Sequence, residues 1–239
     1  MSDAPIARRV LSEFLGSALL AGIVIGSGIT AASLSPNDVG LQLLENAAAT
    51  ALGLFVIILM FAPLSGAHVN PIVSIVDAAL GHRPWRDVAF YVPAQIAGCV
   101  AGAVLANVMF GLPAVSLSTK DRLTGPHFLA EIVATAGLML IIFALARSGR
   151  GALAPAAVTA YIGSAYFFTS STSFANPAIT IGRMFSDTFA GIAPGSAPGF
   201  IGAQVIGGAL GLALVRVLYP QPHVTTLNGP QIAGAQRNV

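Results

Sequence analysis

Long apolar runs separated by short polar breaks are the dominant pattern along this chain of 239 residues. The breaks fall where Pro, Gly, Asn and charged residues cluster, and a helix needs about 20 apolar residues to cross a bilayer. Two apolar pieces, 70–80 and 176–189, are too short to span and indicate re-entrant segments. The pattern predicts six transmembrane helices, at about 9–33, 41–62, 87–110, 128–146, 152–169 and 198–218.

Composition supports a membrane environment for the whole chain. Hydrophobic residues make up 55% and charged residues only 8%, whereas soluble domains carry about 25% charged residues. The net charge of +2 comes from cationic residues spread along the sequence, so no basic patch for nucleic acid is expected. Residues 1–239 are interpreted as one membrane domain with a polar tail at 220–239.

The chain repeats itself, in halves at about 9–110 and 127–219. The segment AQIAG at 94–98 recurs as AQVIG at 203–207. Each half has three spans and one short helix, and an odd number of spans forces the second half to be inverted. Inverted repeats with paired broken helices place a solute site or pore near the bilayer midplane.

Asn-Pro occurs twice at the start of a short helix, as Asn70-Pro71 and Asn176-Pro177. Asn caps a helix N-terminus, and Pro suits the first helical position. If the two N-termini meet in the membrane, their partial positive charges repel cations and the Asn amides donate hydrogen bonds to a passing oxygen. The pattern therefore predicts a pore that repels cations and offers hydrogen-bond donors to an oxygen.

The segments SGAHVNP at 65–71 and FANPA at 174–178 resemble the two Asn-Pro-Ala signatures of the aquaporin (major intrinsic protein) family. The resemblance covers nearly the whole chain. It implies an all-α membrane protein with six spans and two re-entrant half-helices, a passive channel and a homotetramer in the lipid bilayer. Ile72 stands where Ala is usual, which leaves the packing of the half-helices open.

The resemblance also implies a selectivity filter at Thr50, Ser164, Ser173 and Ile179. Family members usually have Arg at the Ile179 position, and its loss removes a charge and as many as five hydrogen-bond donors. We expect a wide, uncharged, hydroxyl-bearing ring without aromatic residues. Resembling bacterial aquaglyceroporins linked to arsenic resistance favour arsenite, As(OH)3, and methylated arsenicals as solutes. A general water and glycerol facilitator is the alternative, and a coupled secondary transporter is less supported.

Arg183 lies four residues after Ile179 and therefore on the same helix face. We interpret Arg183 as the partner of Asp187 at an outer vestibule. The alternative is that its side chain reaches back toward the missing Arg position. Glu13 and Glu131 are ionisable groups inside spans, and the resemblance implies that they accept backbone hydrogen bonds from the re-entrant loops.

Catalytic and metal chemistry has little support. No catalytic arrangement or metal-ligand cluster is visible, and neither a metal nor a cofactor is expected. The histidines are scattered, at His68, His82, His127 and His223, and Cys99 is the single cysteine. With six spans, both termini lie on one side, and eight arginines share it, at positions 8, 9, 83, 86, 147, 150, 216 and 237. The positive-inside rule makes both termini cytoplasmic, and the resemblance to bacterial aquaglyceroporins implies a bacterial inner membrane.

Overall fold

A computed structural model describes residues 4–220 of the chain. These residues form an all-helical bundle. The helices, in chain order, are α1 Ile6–Leu34, α2 Val39–Ser65, α3 Pro71–Ala79, α4 Trp85–Met109, α5 Gly125–Arg147, α6 Ala154–Phe168, α7 Pro177–Arg183 and α8 Ala197–Leu218, with a 3₁₀ turn, Gly151–Leu153, before α6. Six of them are long and apolar enough to cross a bilayer, counting α6 together with its 3₁₀ turn.

The predicted segments agree with these helices apart from the second short one. The pattern predicts a piece at 176–189, but α7 ends at Arg183. The carbonyls of Met184 and Phe185 accept hydrogen bonds from the backbone of Ser118 and Ser116 in the loop between α4 and α5. The apolar stretch after Arg183 therefore forms a loop at the bundle end. The predicted tail, apart from Pro220, lies outside the described residues.

Helix pairs α1–α4 and α5–α8 pack closely through glycine. A Cβ at Gly102 of α4 would lie 2.1 Å from the carbonyl oxygen of Ala18. A Cβ at Gly207 of α8 would lie 2.6 Å from the carbonyl oxygen of Ile132. Small residues let transmembrane helices approach in this way, and the same crossing occurs once in each half.

The short helices α3 and α7 meet at their N-terminal ends. Asn70 donates from Nδ2 to the carbonyl of Ala175 at 2.8 Å, and Asn176 donates from Nδ2 to the carbonyl of Val69 at 2.8 Å. Each Asn also caps its own helix with Oδ1. Each side chain thus begins one half-helix and holds the loop before the other.

One buried carboxylate supports each re-entrant loop. Glu13 accepts hydrogen bonds from the backbone N–H groups of His68 and Val69, at 3.0 and 2.6 Å. It also binds Ser65 Oγ and Gln95 Nε2, at 2.6 and 2.7 Å. With no water at this depth, irregular backbone needs such internal partners.

Glu131 makes the same set of contacts in the second half. It accepts from the backbone N–H groups of Phe174 and Ala175, both at 2.9 Å, and from the Ser171 hydroxyl and Gln204 Nε2, at 2.6 and 2.7 Å. Both glutamates are 0% exposed. The supported loops hold non-glycine residues at positive φ, among them Val69 at 42° and Ala175 at 48°, a conformation that costs about 1–3 kcal/mol per residue.

Ile72 fits because its neighbour lacks a side chain. It is 3% exposed, and a Cβ at Gly208 of α8 would lie 2.5 Å from Ile72 Cγ2. The Asn70 cap is intact, with Oδ1 accepting from the N–H of Ile72 at 2.9 Å. The bulkier residue of the first motif is therefore accommodated without a change at the helix start.

Candidate functional site

A narrow cavity of about 220 Å³ runs between the spanning helices and the two re-entrant loops. Much of its lining is aliphatic and comes from the spans, with Leu20, Val24, Leu54, Ile58, Leu138, Ile142, Val158 and Ile162. The polar lining comes mainly from the re-entrant segments, with His68, Asn70, Asp77, Ser173, Asn176 and Arg183, joined by Thr50 of α2 and Tyr166 of α6. A passing solute would meet both hydrocarbon and hydrogen-bonding groups.

Asn70 and Asn176 both line the cavity, at the point where α3 and α7 begin. Each Asn has two amide hydrogens, and the bond to the opposite loop uses one of them. The N-terminal ends of both helices carry partial positive charge. The middle of the cavity can therefore donate hydrogen bonds to an oxygen and disfavours cations.

Arg183 lies in the cavity wall and not in an exposed vestibule. It is 3% exposed, its Nε donates to the carbonyl of Ala190, and its guanidinium carbon lies 3.5 Å from the centre of the Phe174 ring. The expected pairing with Asp187 is wrong. Asp187 is exposed and accepts instead from the backbone N–H of Thr119 at 2.9 Å, because the loop between α4 and α5 folds over this end of the bundle.

The structure also differs from the sequence expectation at Ser164. Ser164 is exposed, donates to the carbonyl of Tyr161 at 2.8 Å and does not line the cavity. Tyr166 lines it instead, and its hydroxyl donates to Thr50 Oγ1 at 3.2 Å. Counting back from Asn176 failed because it crosses an irregular loop, and two residues on a helix point to nearly opposite faces.

Aromatic rings line the cavity beside the predicted filter positions, where the sequence leads us to expect none. The cavity is lined by three of the four positions named from the sequence, Thr50, Ser173 and Ile179. Tyr166 and Phe174 also line it. Ser173 is 3% exposed, and its hydroxyl has no hydrogen-bond partner within the described part of the chain. A buried polar group usually has such a partner, so Ser173 retains unused hydrogen-bonding capacity at the cavity wall.

The other end of the cavity carries a carboxylate that the sequence did not single out. Asp77, in the last turn of α3, lies 3.3 Å from His68 Nε2 and 3.2 Å from both His82 Nδ1 and Arg83 Nε. Arg83 also donates to the carbonyl of Ser65 at 2.8 Å. The cluster of charged and polar residues directly after the short helix, at 81–87, was the available signal. The charge of Asp77 is thus balanced by the neighbouring Arg83 guanidinium.

The loop between α4 and α5 adds two cations near the Arg183 end. Arg122 donates from Nε to the carbonyl of Gly191 at 2.7 Å, and Lys120 donates from Nζ to the carbonyl of Phe189 at 2.9 Å. Burial lowers the pKa of Arg122 to about 10. Burial, and then the charges of Arg122 and Arg183, lowers the pKa of Lys120. Since a pKa near 10 keeps Arg122 protonated at neutral pH, this end of the cavity is electropositive.

Two half-helices that meet by their N-termini around a narrow cavity, inside a bundle of six spans, define a transmembrane channel. The chain matches the family model described as major intrinsic protein over residues 1–175 and belongs to that family. Its proteins are channels and not enzymes.

Three known proteins illustrate the relationship. The chain is 46% identical to aquaglyceroporin AqpS of Rhizobium meliloti (strain 1021), over 98% of this chain and 100% of the relative. It is 32% identical to the glycerol uptake facilitator protein of Pseudomonas aeruginosa, over 96% and 94% of the two chains. The fold matches the X-ray structure of the aquaglyceroporin from Plasmodium falciparum with a TM-score of 0.69, at 22% identity, covering 88% of this chain and 96% of that one.

Proposed function

We propose that this protein is a passive channel for small neutral solutes that carry hydroxyl groups. The observation that carries the proposal is the mixed lining of the cavity, in which aliphatic side chains of the spans accompany the amide groups of Asn70 and Asn176. Glycerol has a matching surface, with both C–H groups and hydroxyls. The aquaglyceroporin and the glycerol uptake facilitator to which the chain is similar support solutes of this class.

Within this class we favour metalloid hydroxides, with arsenite as the main solute and methylated arsenicals as further ones. As(OH)3 is compact, uncharged at neutral pH and bears three hydroxyls. Ile179 is 4% exposed and contributes only hydrocarbon to the constriction, beside the unpartnered hydroxyl of Ser173. A general water and glycerol facilitator is the second candidate, because Tyr166 and Phe174 line the cavity where the sequence alone predicts a ring without aromatic residues.

Swelling of liposomes that contain the purified protein separates these two candidates. Water, glycerol and arsenite are compared in one preparation by stopped-flow light scattering, with protein-free liposomes as the baseline. Arsenite entry well above baseline supports the metalloid channel. Rapid glycerol or water movement with arsenite at baseline contradicts it and leaves the glycerol facilitator.

A coupled transporter is the third candidate, and the buried carboxylates argue against it. Glu13 and Glu131 each accept four hydrogen bonds from their own loop and helix partners, which leaves neither free to exchange a coupling ion. Glycerol uptake that is unchanged by imposed pH and sodium gradients supports a channel. Uptake that follows either gradient supports coupling.

We further propose that the whole chain forms one channel domain, a homotetramer in the bacterial inner membrane with both termini cytoplasmic. Large apolar side chains on the outside of the bundle support contact with lipid and other subunits, among them Leu52, Val56 and Leu59 of α2. Light scattering of the detergent-solubilised protein tests the subunit number. Labelling of single cysteines placed near each terminus, in a Cys99→Ser background, tests the orientation.

A further inference from the structure

Arg183 is the one arginine or lysine that lines the cavity among residues 4–220. It is buried, and the ion pairs found in that part of the chain lie elsewhere, around Asp77 and Asp87. Its charge rests on the face of Phe174, where a ring quadrupole attracts a cation. The positive charge at this end of the pore is therefore fixed in place, and Arg183 forms no ion pair with a carboxylate among residues 4–220.

Arg183 lies on the same face of α7 as Ile179. The two residues lie one helical turn apart on α7, and helical side chains lean toward the N-terminus. Phe174, which holds the guanidinium, lies before the start of α7. The guanidinium is thus directed back toward the constriction, where Ile179 contributes no polar group.

We propose that Arg183 supplies the fixed positive charge of the outer constriction in place of a charged residue at Ile179, with Phe174 as its platform. The guanidinium and the unpartnered hydroxyl of Ser173 then form a two-point site for the oxygens of a solute. The inference rests on the proposed channel function and deepens it. It gives Arg183 a major part in excluding protons and other cations, in addition to the two half-helix N-termini.

A purely structural role for Arg183 would be to hold the loop through the carbonyl of Ala190. That loop has two other cationic anchors, because Arg122 binds the carbonyl of Gly191 and Lys120 binds the carbonyl of Phe189. Lys120 is exposed and does not line the cavity. Lys120→Gln is therefore the matched control, since it removes a cation that binds the same loop outside the pore.

The test measures proton leak into liposomes that hold a pH-sensitive dye, driven by a potassium gradient with valinomycin. We expect the wild-type channel and Lys120→Gln to be as tight as protein-free liposomes. Arg183→Gln should raise the leak about tenfold or more, because a unit charge a few ångströms away changes the barrier for a cation by at least that factor. Glycerol swelling of the same liposomes reports whether each variant is folded.

Two outcomes would overturn the inference. One is an Arg183→Gln channel that conducts glycerol and stays proton-tight. The other is proton leak through the wild type above the protein-free baseline, a measurement that does not depend on the folding of any variant. Failure of the proposed function is distinct, because it would show as a wild-type channel without glycerol or arsenite flux.

Ser173→Ala tests the second point of the site. Loss of one hydrogen bond to the solute should lower glycerol flux about threefold, while water flux and proton tightness stay at wild-type values. Equal glycerol flux in Ser173→Ala and wild type would remove Ser173 from the site.

Discussion

The two re-entrant loops share one scaffold but carry different chemistry. In each loop a buried glutamate accepts the same four kinds of hydrogen bond, from two backbone N–H groups, a serine and a glutamine. Two residues before the Asn, the first half has His68 packed edge-on to Tyr91 with ring centres 5.7 Å apart. The second half has Phe174 packed against Phe200 at 5.0 Å. The scaffold and the two Asn residues are repeated, and the other groups that line the cavity differ between the halves.

The difference is largest at the far ends of the half-helices. Seven residues after each Asn, the first half has Asp77 and the second has Arg183, and both line the cavity. Asp77 is surrounded by His68, His82 and Arg83, whereas Arg183 has an aromatic ring and a carbonyl as partners. The pore therefore has a neutralised end and a positive end, and a duplicated framework allows each end to be changed without disturbing the fold.

The largest expected effect comes from breaking the shared scaffold. Glu13→Gln and Glu131→Gln each place an amide N–H against backbone donors, which should cost about 3 kcal/mol of stability per site. Thermal unfolding in detergent measures it, and we expect losses of similar size in the two variants. Glu45→Gln is the control, because Glu45 is only partly buried and accepts from the Ser35 hydroxyl near the bundle end. A large loss in only one of the two variants would contradict the equivalence of the halves.

A smaller effect is expected from adding charge at the positive end. Ile179→Arg places a second guanidinium one turn from Arg183 in a buried constriction, which narrows the pore and repels the existing charge. Glycerol and arsenite flux should fall several-fold more than water flux in liposome swelling. An unchanged arsenite flux would show that Ile179 does not border the solute path.

The smallest effect is expected at the aromatic position of α6. Tyr166→Phe removes the hydroxyl that binds Thr50 and should change glycerol flux by about twofold. Ser164→Ala, two residues earlier on the exposed face, should leave every flux unchanged. If Ser164→Ala changes glycerol flux and Tyr166→Phe does not, then the position counted from Asn176 in the sequence is the correct one.

The sequence predicted the framework well because the framework follows from local rules. Apolar runs of spanning length give the six long helices, and Asn-Pro gives the starts of α3 and α7. Glu13 and Glu131 stand out as ionisable residues inside apolar spans, and both accept hydrogen bonds from the loops as expected. Each of these signals lies within one helix or one turn.

The filter was harder to predict because it joins residues from separate segments. Ser164 and Tyr166 lie two positions apart on α6. Counting residues back from Asn176 crosses the irregular loop at 169–175, so the spacing does not give the residue of α6 that borders the pore. By spacing alone, the Arg183 side chain could extend either toward Asp187 or back toward the position of Ile179. The choice depended on how the loop between α4 and α5 covers the end of α7, a contact about 70 residues away along the chain.

The sequence by itself therefore determined that this protein lies in a membrane. It also determined the spans, the inverted halves and the capped starts of the half-helices. These follow from hydropathy, span parity and capping, which act over short distances along the chain. Only the tertiary structure decided which side chains border the pore. The rotation of α6, the folding of the loop between α4 and α5 and the contact of Ile72 with Gly208 all depend on packing between distant segments. The position of Arg183 in the pore wall is a result of that packing.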